Sequence, residues 1–200
     1  MKLADLFDRI YIINLPSRPD RRKEMAGQLS RIGLSFAHPK VMLFPAIRPE
    51  SKGPFPTLGA RGCFMSHLGV LRHASENRYE RILVCEDDLD FVFDFNDRIS
   101  AVTEILAKED WNMFYGGHRF GKGEFRTIHC GASQLTSVPS AEPVVTAHFI
   151  GFQGKTIGEL AGYLEAMLGR PPGSDEGGPM HVDGAYSWYR KHHSGEITLA

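Results

Sequence analysis

The stretch RILVCEDDLDF, residues 81–91, drives a run of apolar or near-apolar positions into Glu86, Asp87 and Asp88. The run suits a buried strand, and it predicts a strand over residues 82–86. Three carboxylates where such a strand ends cost folding free energy, because like charges repel and each carboxylate loses water. The placement therefore asks what neighbours the strand has and what offsets the acids.

Working outward, the chain alternates strand and helix. Residues 10–15, IYIINL, form a β-rich run, and Ser17 followed by Pro19 predicts a helix start. Met25, Leu29 and Ile32 fall on one face of that helix, with Gly33 as its stop. A second strand is expected over 41–44. Residues 48–62, RPESKGPFPTLGARG, read as a loop rich in Pro and Gly and long enough to carry function. A helix is expected from Cys63 to about Asn77, with Met65, Leu68 and Leu71 inward. Beyond the acids the pattern predicts a helix over 95–107, a strand in WNMFYGG (111–117) and a hairpin or irregular excursion over 121–143. A strand in VVTAHFIGF (144–152) follows, then a helix to about Leu168 opened by a Thr156/Glu159 capping box. A second loop, 170–181, leads to Asp183 at a possible N-cap. The alternation predicts an α/β fold with a mostly parallel sheet flanked by helices, and no composition shift divides residues 1–200. A single domain is expected.

The chain has 200 residues, 42% of them hydrophobic, and a formal charge of −1 from 23 basic and 24 acidic side chains. That is enough to bury one sizeable core, and it offers no global electrostatic attraction for nucleic acid. The first fifteen residues lack the unbroken apolar core of a secretory signal, because Asp5, Asp8 and Arg9 interrupt them. Cys63, Cys85 and Cys130 are odd in number and widely spaced, which argues against a disulfide framework or a structural zinc site. A reducing, cytoplasmic setting is expected, with Cys63 and Cys85 in the core.

In an extended segment side chains alternate, so Glu86 and Asp88 are expected on one side and Asp87 on the other. Two hard oxygen ligands suit Mg²⁺ or Mn²⁺, with phosphates and water completing the shell. The crevice beyond the carboxyl ends of strands is also where open α/β sheets bind nucleotides. Taken alone, an acidic triplet is more often a polar turn than a metal site.

Three stretches in order, YIINLPSRPDRR (11–22), GARGCFMSHLGVLRHA (59–74) and ILVCEDDLDF (82–91), resemble glycosyltransferase family 25, with WNMFYGG as a looser fourth. The resemblance implies a GT-A-type fold, a UDP-sugar donor and transfer of a hexose, with galactose favoured, by inversion. The acceptor it implies is a saccharide or glycolipid such as lipooligosaccharide, which would bring the protein into peripheral contact with the inner membrane face. It makes Asp88 a ligand of Mn²⁺ or Mg²⁺, with Glu86 at the metal shell or the nucleotide ribose. Asn14, Arg18 and Arg21 would border the nucleotide, as would Gly62, Ser66 and His67 on the donor crevice. Asp87 is expected to be structural, paired with a backbone N–H. Arg22 reads as part of a solvated helix face, and Gly59 and Gly62 as positions for backbone bends or close approach.

Inverting transfer also needs a base for the acceptor hydroxyl, and Asp183 is the candidate, against the simpler reading of a helix cap. His118, His148, His192 and His193 show no metal-ligand spacing, although one late histidine could complete a metal shell. Two other functions use the same residues: a metal-dependent phosphohydrolase, and a sugar-nucleotide-binding module without catalysis.

Overall fold

The computed structural model describes residues 1–119, 125–130 and 133–200, with the side chain of residue 130 outside that set. Its elements run α1 (Leu3–Leu6), β1 (Arg9–Asn14), α2 (Pro19–Arg31), β2 (Val41–Pro45), α3 (Leu58–Glu76), β3 (Arg81–Glu86) and α4 (Phe95–Leu106). They continue through β4 (Met113–Tyr115), β5 (Arg126–Cys130), β6 (Ser133–Ser137), β7 (Phe149–Gln153), α5 (Thr156–Leu168), α6 (Val182–His192) and β8 (Thr198–Leu199).

The strands make one sheet in the order β2-β1-β3-β7-β4-β8-β6-β5. β1 lies parallel to β2 and β3, β7 runs antiparallel to both β3 and β4, and β8 runs parallel to β4. The β5–β6 hairpin adds to β8 through antiparallel β6, so among the described residues only β6 and β7 oppose the common direction. The helix-flanked α/β sheet that the alternation predicts is thus parallel through β2-β1-β3 and mixed beyond it, where β7 and β6 introduce antiparallel pairings.

Period-two patterning feeds the two faces. Tyr11, Ile13, Ile82, Val84, Ile150 and Phe152 point into a core with buried residues of α3, α5 and α6. Ile10, Ile12, Leu83, Cys85 and Phe149 point the other way, against α1, α2 and α4. Both faces are dry, so the free polar groups of the sheet gather at its ends.

Several expectations are corrected. Residues 58–62 are not loop but the first turns of α3, because Thr57 caps the helix, its Oγ1 accepting the Ala60 N–H at 2.9 Å. Gly62 serves close approach rather than a bend: a Cβ there would stand 2.7 Å from the Ile47 carbonyl oxygen. The last strand before α5 begins at Phe149, not 144. Lys155, not Thr156, is the N-cap of α5; the Thr156 hydroxyl instead accepts from Asn112 at 3.1 Å and donates to Glu196 at 2.9 Å. Asp183 is not a cap either, since His181 holds that position and Asp183 lies in the first turn of α6. Of the 121–143 segment, the hairpin forms over the described residues, while 121–124, 131 and 132 lie outside them. Among the described residues no helix is long and apolar enough to cross a membrane.

The close approach at Gly62 gives a direct test. Gly62→Ala should force α3 from the Ile47 backbone and lower stability by about 1–3 kcal/mol, as overpacked positions do. Urea denaturation measures the loss.

Candidate functional site

The parallel register sets Ile13 opposite Glu86, so the carboxyl ends of β1 and β3 open on the same edge. Two cavities lie there. The first, of about 410 Å³, is lined by Arg18, Arg21, Arg48, Gly62, Ser66 and Asp87 among others. The second, of about 510 Å³, takes Asp88, Arg119, His148, His181 and Asp183. Cys63 and Glu86 line both and form the seam between them.

β3 ends at Glu86, and Asp87 and Asp88 form a turn, so strand alternation stops before it can sort them. Glu86 faces both cavities, Asp87 the first and Asp88 the second. Asp87 is therefore not tied to a backbone N–H on the far side. It accepts from Asn14 Nδ2 at 2.6 Å and from Arg21 Nη1 at 3.1 Å. The same Arg21 nitrogen reaches Asp88 at 2.9 Å, so one guanidinium offsets two of the three acids.

Glu86 is held differently. Its Oε1 accepts from the Cys63 thiol at 3.3 Å and lies 3.1 Å from His67 Nε2. Desolvation is the largest single influence on Glu86 and pushes its pKa up. The His67 imidazole, by hydrogen bond and electrostatic attraction, with the Cys63 thiol and His148, outweighs it and leaves Glu86 below its ordinary value. Burial and the facing carboxylate push the Cys63 thiol up and keep it protonated. Cys63 is thus a donor on the cavity wall rather than a core residue, whereas Cys85 is buried as expected.

The other residues singled out in the sequence divide between wall and support. Arg18 lines the first cavity but is engaged by Asp20, its Nε and Nη2 both within 3.1 Å of the carboxylate. Asn14, 2% exposed, lies behind the crevice, donating to the Arg18 carbonyl and accepting from Arg22, which is half-buried rather than solvated. Ser66 accepts from the Ile47 N–H at 2.8 Å and donates to the Gly62 carbonyl at 2.7 Å, pinning the wall that α3 shares with the β2–α3 loop. His67, 1% exposed, does not line the crevice at all; it reaches it only through Glu86.

Asp183 faces the second cavity, with Oδ2 accepting the Thr146 N–H at 3.2 Å and Oδ1 the Gly184 N–H at 2.8 Å. Thr146 holds φ at 87°, a left-handed conformation unusual for a β-branched residue. Of the histidines weighed in the sequence, His148 lines this cavity. His192 and His193 pack away from it against Trp188 and Tyr189. Arg48, Arg119 and His181 carry no motif in the sequence; the one signal for His181 was its place two residues before Asp183 at the end of a Gly-rich loop.

Ligand atoms of Cys63, His67 and Glu86 lie within 4.8 Å of one another. His67 is already engaged at both nitrogens, with Nδ1 2.8 Å from the Tyr186 hydroxyl, so this trio is a hydrogen-bonded network as it stands. The carboxylates that reach the cavities, those of Glu86 and the half-exposed Asp88, offer the hard oxygens that suit Mg²⁺ or Mn²⁺.

With this geometry in view, the family model for "Glycosyltransferase family 25 (LPS biosynthesis protein)" matches residues 43–126. That span starts within β2 and holds α3, β3, the three acids, α4 and β4. Residues 43–126 are thus similar to glycosyltransferase family 25. Procollagen galactosyltransferase 1-B of Xenopus laevis is 30% identical over 131 residues, 56% of this chain and 21% of that protein. Procollagen galactosyltransferase 2 of Homo sapiens is 30% identical over 132 residues, 56% of this chain and 21% of that protein. The human protein named inactive glycosyltransferase 25 family member 3 is 28% identical over 131 residues, 56% of this chain and 22% of that protein. The family 25 match thus covers about a fifth of the length of these curated relatives.

The depressed pKa of Glu86 has a consequence for stability. A carboxylate held below its unfolded value contributes stability that is present above that unfolded value and is lost as pH falls through the folded one. The stability difference between the wild type and Glu86→Gln should accordingly narrow on acidification below the usual carboxylate range. Denaturation curves at a series of pH values measure it; a pH-independent gap would contradict this account.

Proposed function

We propose that the crevice transfers a hexose from a nucleotide diphosphate to a saccharide acceptor. The observation that carries this reading is the seam: an arginine-lined cavity and a cavity with His148 and Asp183 meet at Glu86, beside a family 25 acid cluster. The relatives named procollagen galactosyltransferases favour galactose as the sugar, and the proposed donor is its UDP-linked form.

In this reading Arg18, Arg21 and Arg48 of the first cavity receive the diphosphate, for which their planar forks are suited. Asp88, half-exposed at the rim beside Glu86, would hold Mn²⁺ or Mg²⁺; when bound, such a cation neutralises charge on the departing diphosphate. Arg21, which spans Asp87 and Asp88, would exchange part of that pairing for phosphate. The second cavity receives the acceptor. Asp183, fixed by two backbone N–H groups, takes the proton of the attacking hydroxyl on the face opposite the leaving group, which gives inversion. A lipid-linked acceptor such as lipooligosaccharide would bring the protein to the cytoplasmic face of the membrane without a spanning helix.

The relatives named inactive favour a second reading, a sugar-nucleotide-binding module without turnover. Calorimetric titration of UDP with and without Mn²⁺, followed by a mass-spectrometric screen of sugar donors and acceptors, separates the two. Metal-dependent UDP binding and a mass gain of one hexose on an acceptor are expected. Asp88→Ala should lose the metal dependence while staying folded, and Asp183→Asn should lower kcat about 100-fold or more at unchanged UDP affinity. Full turnover in Asp183→Asn would remove the base assignment; binding without any transfer would favour the module.

A further inference from the structure

Of the three acids at the end of β3, Glu86 is the one with no guanidinium partner among the described residues. Its partners form a chain that reaches into the core. Tyr186 on α6 is fully buried, and its hydroxyl lies 2.8 Å from His67 Nδ1. His67 Nε2 lies 3.1 Å from Glu86 Oε1, and the Cys63 thiol donates to the same oxygen at 3.3 Å.

The direction of these bonds follows from elimination. Burial pushes the Tyr186 pKa well up, so the phenol keeps its hydrogen. Among the described residues the acceptor for that hydrogen is His67 Nδ1. A neutral imidazole that accepts at Nδ1 carries its own hydrogen on Nε2, aimed at Glu86. Oε1 then receives two donors, the carboxylate cannot rotate without breaking both, and Oε2 is left at the seam. Among the described residues, Glu86 and Cys63 are the two that both cavities share.

We propose that Tyr186 and His67 are positioning residues that lock Glu86, so that its Oε2 accepts a hydrogen bond from one sugar hydroxyl at the seam and selects substrates that carry it. The proposal rests on reading the crevice as a nucleotide-sugar site. The hydroxyl belongs either to the ribose of the donor nucleotide or to the acceptor. A fixed acceptor that a bound ligand shields from water discriminates against an analogue lacking the matching hydroxyl, because the carboxylate oxygen is then left unpaired.

The test is to titrate UDP, 2′-deoxy-UDP and 3′-deoxy-UDP into the wild type, Tyr186→Phe and Glu86→Gln, each checked by thermal melting. Tyr186→Phe keeps the ring and removes the hydroxyl; Glu86→Gln sets an amide donor where Oε2 can stand. If the ribose is read, the wild type should prefer UDP over one deoxy analogue by about tenfold or more, and both variants should lose most of that preference. If the acceptor is read, the deoxy analogues should bind like UDP, and both variants should raise the acceptor KM at unchanged UDP affinity.

A variant that weakens every nucleotide equally, or one that leaves both the deoxy preference and the acceptor KM intact, would overturn the proposal. Should Tyr186→Phe fail to fold, Cys63→Ala removes the other donor and is read in the same way. Absence of any nucleotide binding by the wild type would defeat the donor reading instead. The relay is then decided by ¹⁵N NMR of His67, where a hydrogen on Nδ1 in place of Nε2 overturns it.

Discussion

The crevice depends on the parallel register that sets Ile13 against Glu86. One step beyond that pair Asn14, still paired with Pro45 of β2, meets Asp87 in the turn after β3, its amide 2.6 Å from the carboxylate. Asn14 is buried and also ties the Arg18 carbonyl and Arg22, so it joins the turn after β1 to the turn after β3. A slip of one residue in either strand would reverse its faces and separate these turns. The repulsion among the acids is then relieved in two ways. Asp87 and Asp88 share Arg21, whereas Glu86 rests on a thiol and an imidazole. The first pairing lies at the rim, where phosphate can compete for the guanidinium. The second is anchored in the core and stays in place.

Helix α3 shows how one element serves both arrangements. Its residues four apart share a face. Gly62 and Ser66 form one such pair, joined by the Ser66 hydroxyl and turned toward Ile47. Cys63 and His67 form the next, both turned toward Glu86. Adjacent residues of the motif GCFMSH therefore act in pairs that skip each other. The Ser-His dipeptide is two supports for two different walls rather than one polar unit.

The strand and helix order was legible because it rests on apolar periodicity, and each buried stripe from Tyr11 to Phe152 found a helix-covered face. The start of α3 was not. Its glycines read as loop because glycine's intrinsic preference opposes a helix, while the packing that requires Gly62 is a contact with Ile47, fifteen positions upstream. The sorting of the acids failed for a related reason: alternation is a property of strands, and β3 stops at Glu86. The acid cluster, Arg18, Arg21 and Asp183 were visible as chemistry in the sequence, and the fold brings them to one edge. Arg48, Arg119 and His181 were not visible, since each reaches the cavities from an irregular segment whose path no local pattern records.

The second cavity is also where the backbone departs from its easy conformations. Thr146 at φ 87° costs on the order of 1–3 kcal/mol, which its surroundings must offset. Its hydroxyl donates to the Gly117 carbonyl at 2.8 Å, and Val145 beside it bridges Arg119. A Cβ at Gly117 would stand 2.5 Å from His148 Nε2 and would displace that ring. The segment is thus fixed on three sides, and the result of the strained turn is an N–H directed at Asp183. A relaxed threonine would point that N–H elsewhere and leave Asp183 with the bond from its own neighbour, Gly184. The strain is thus retained where it aims a donor at one carboxylate, on the wall that also carries Arg119 and His148.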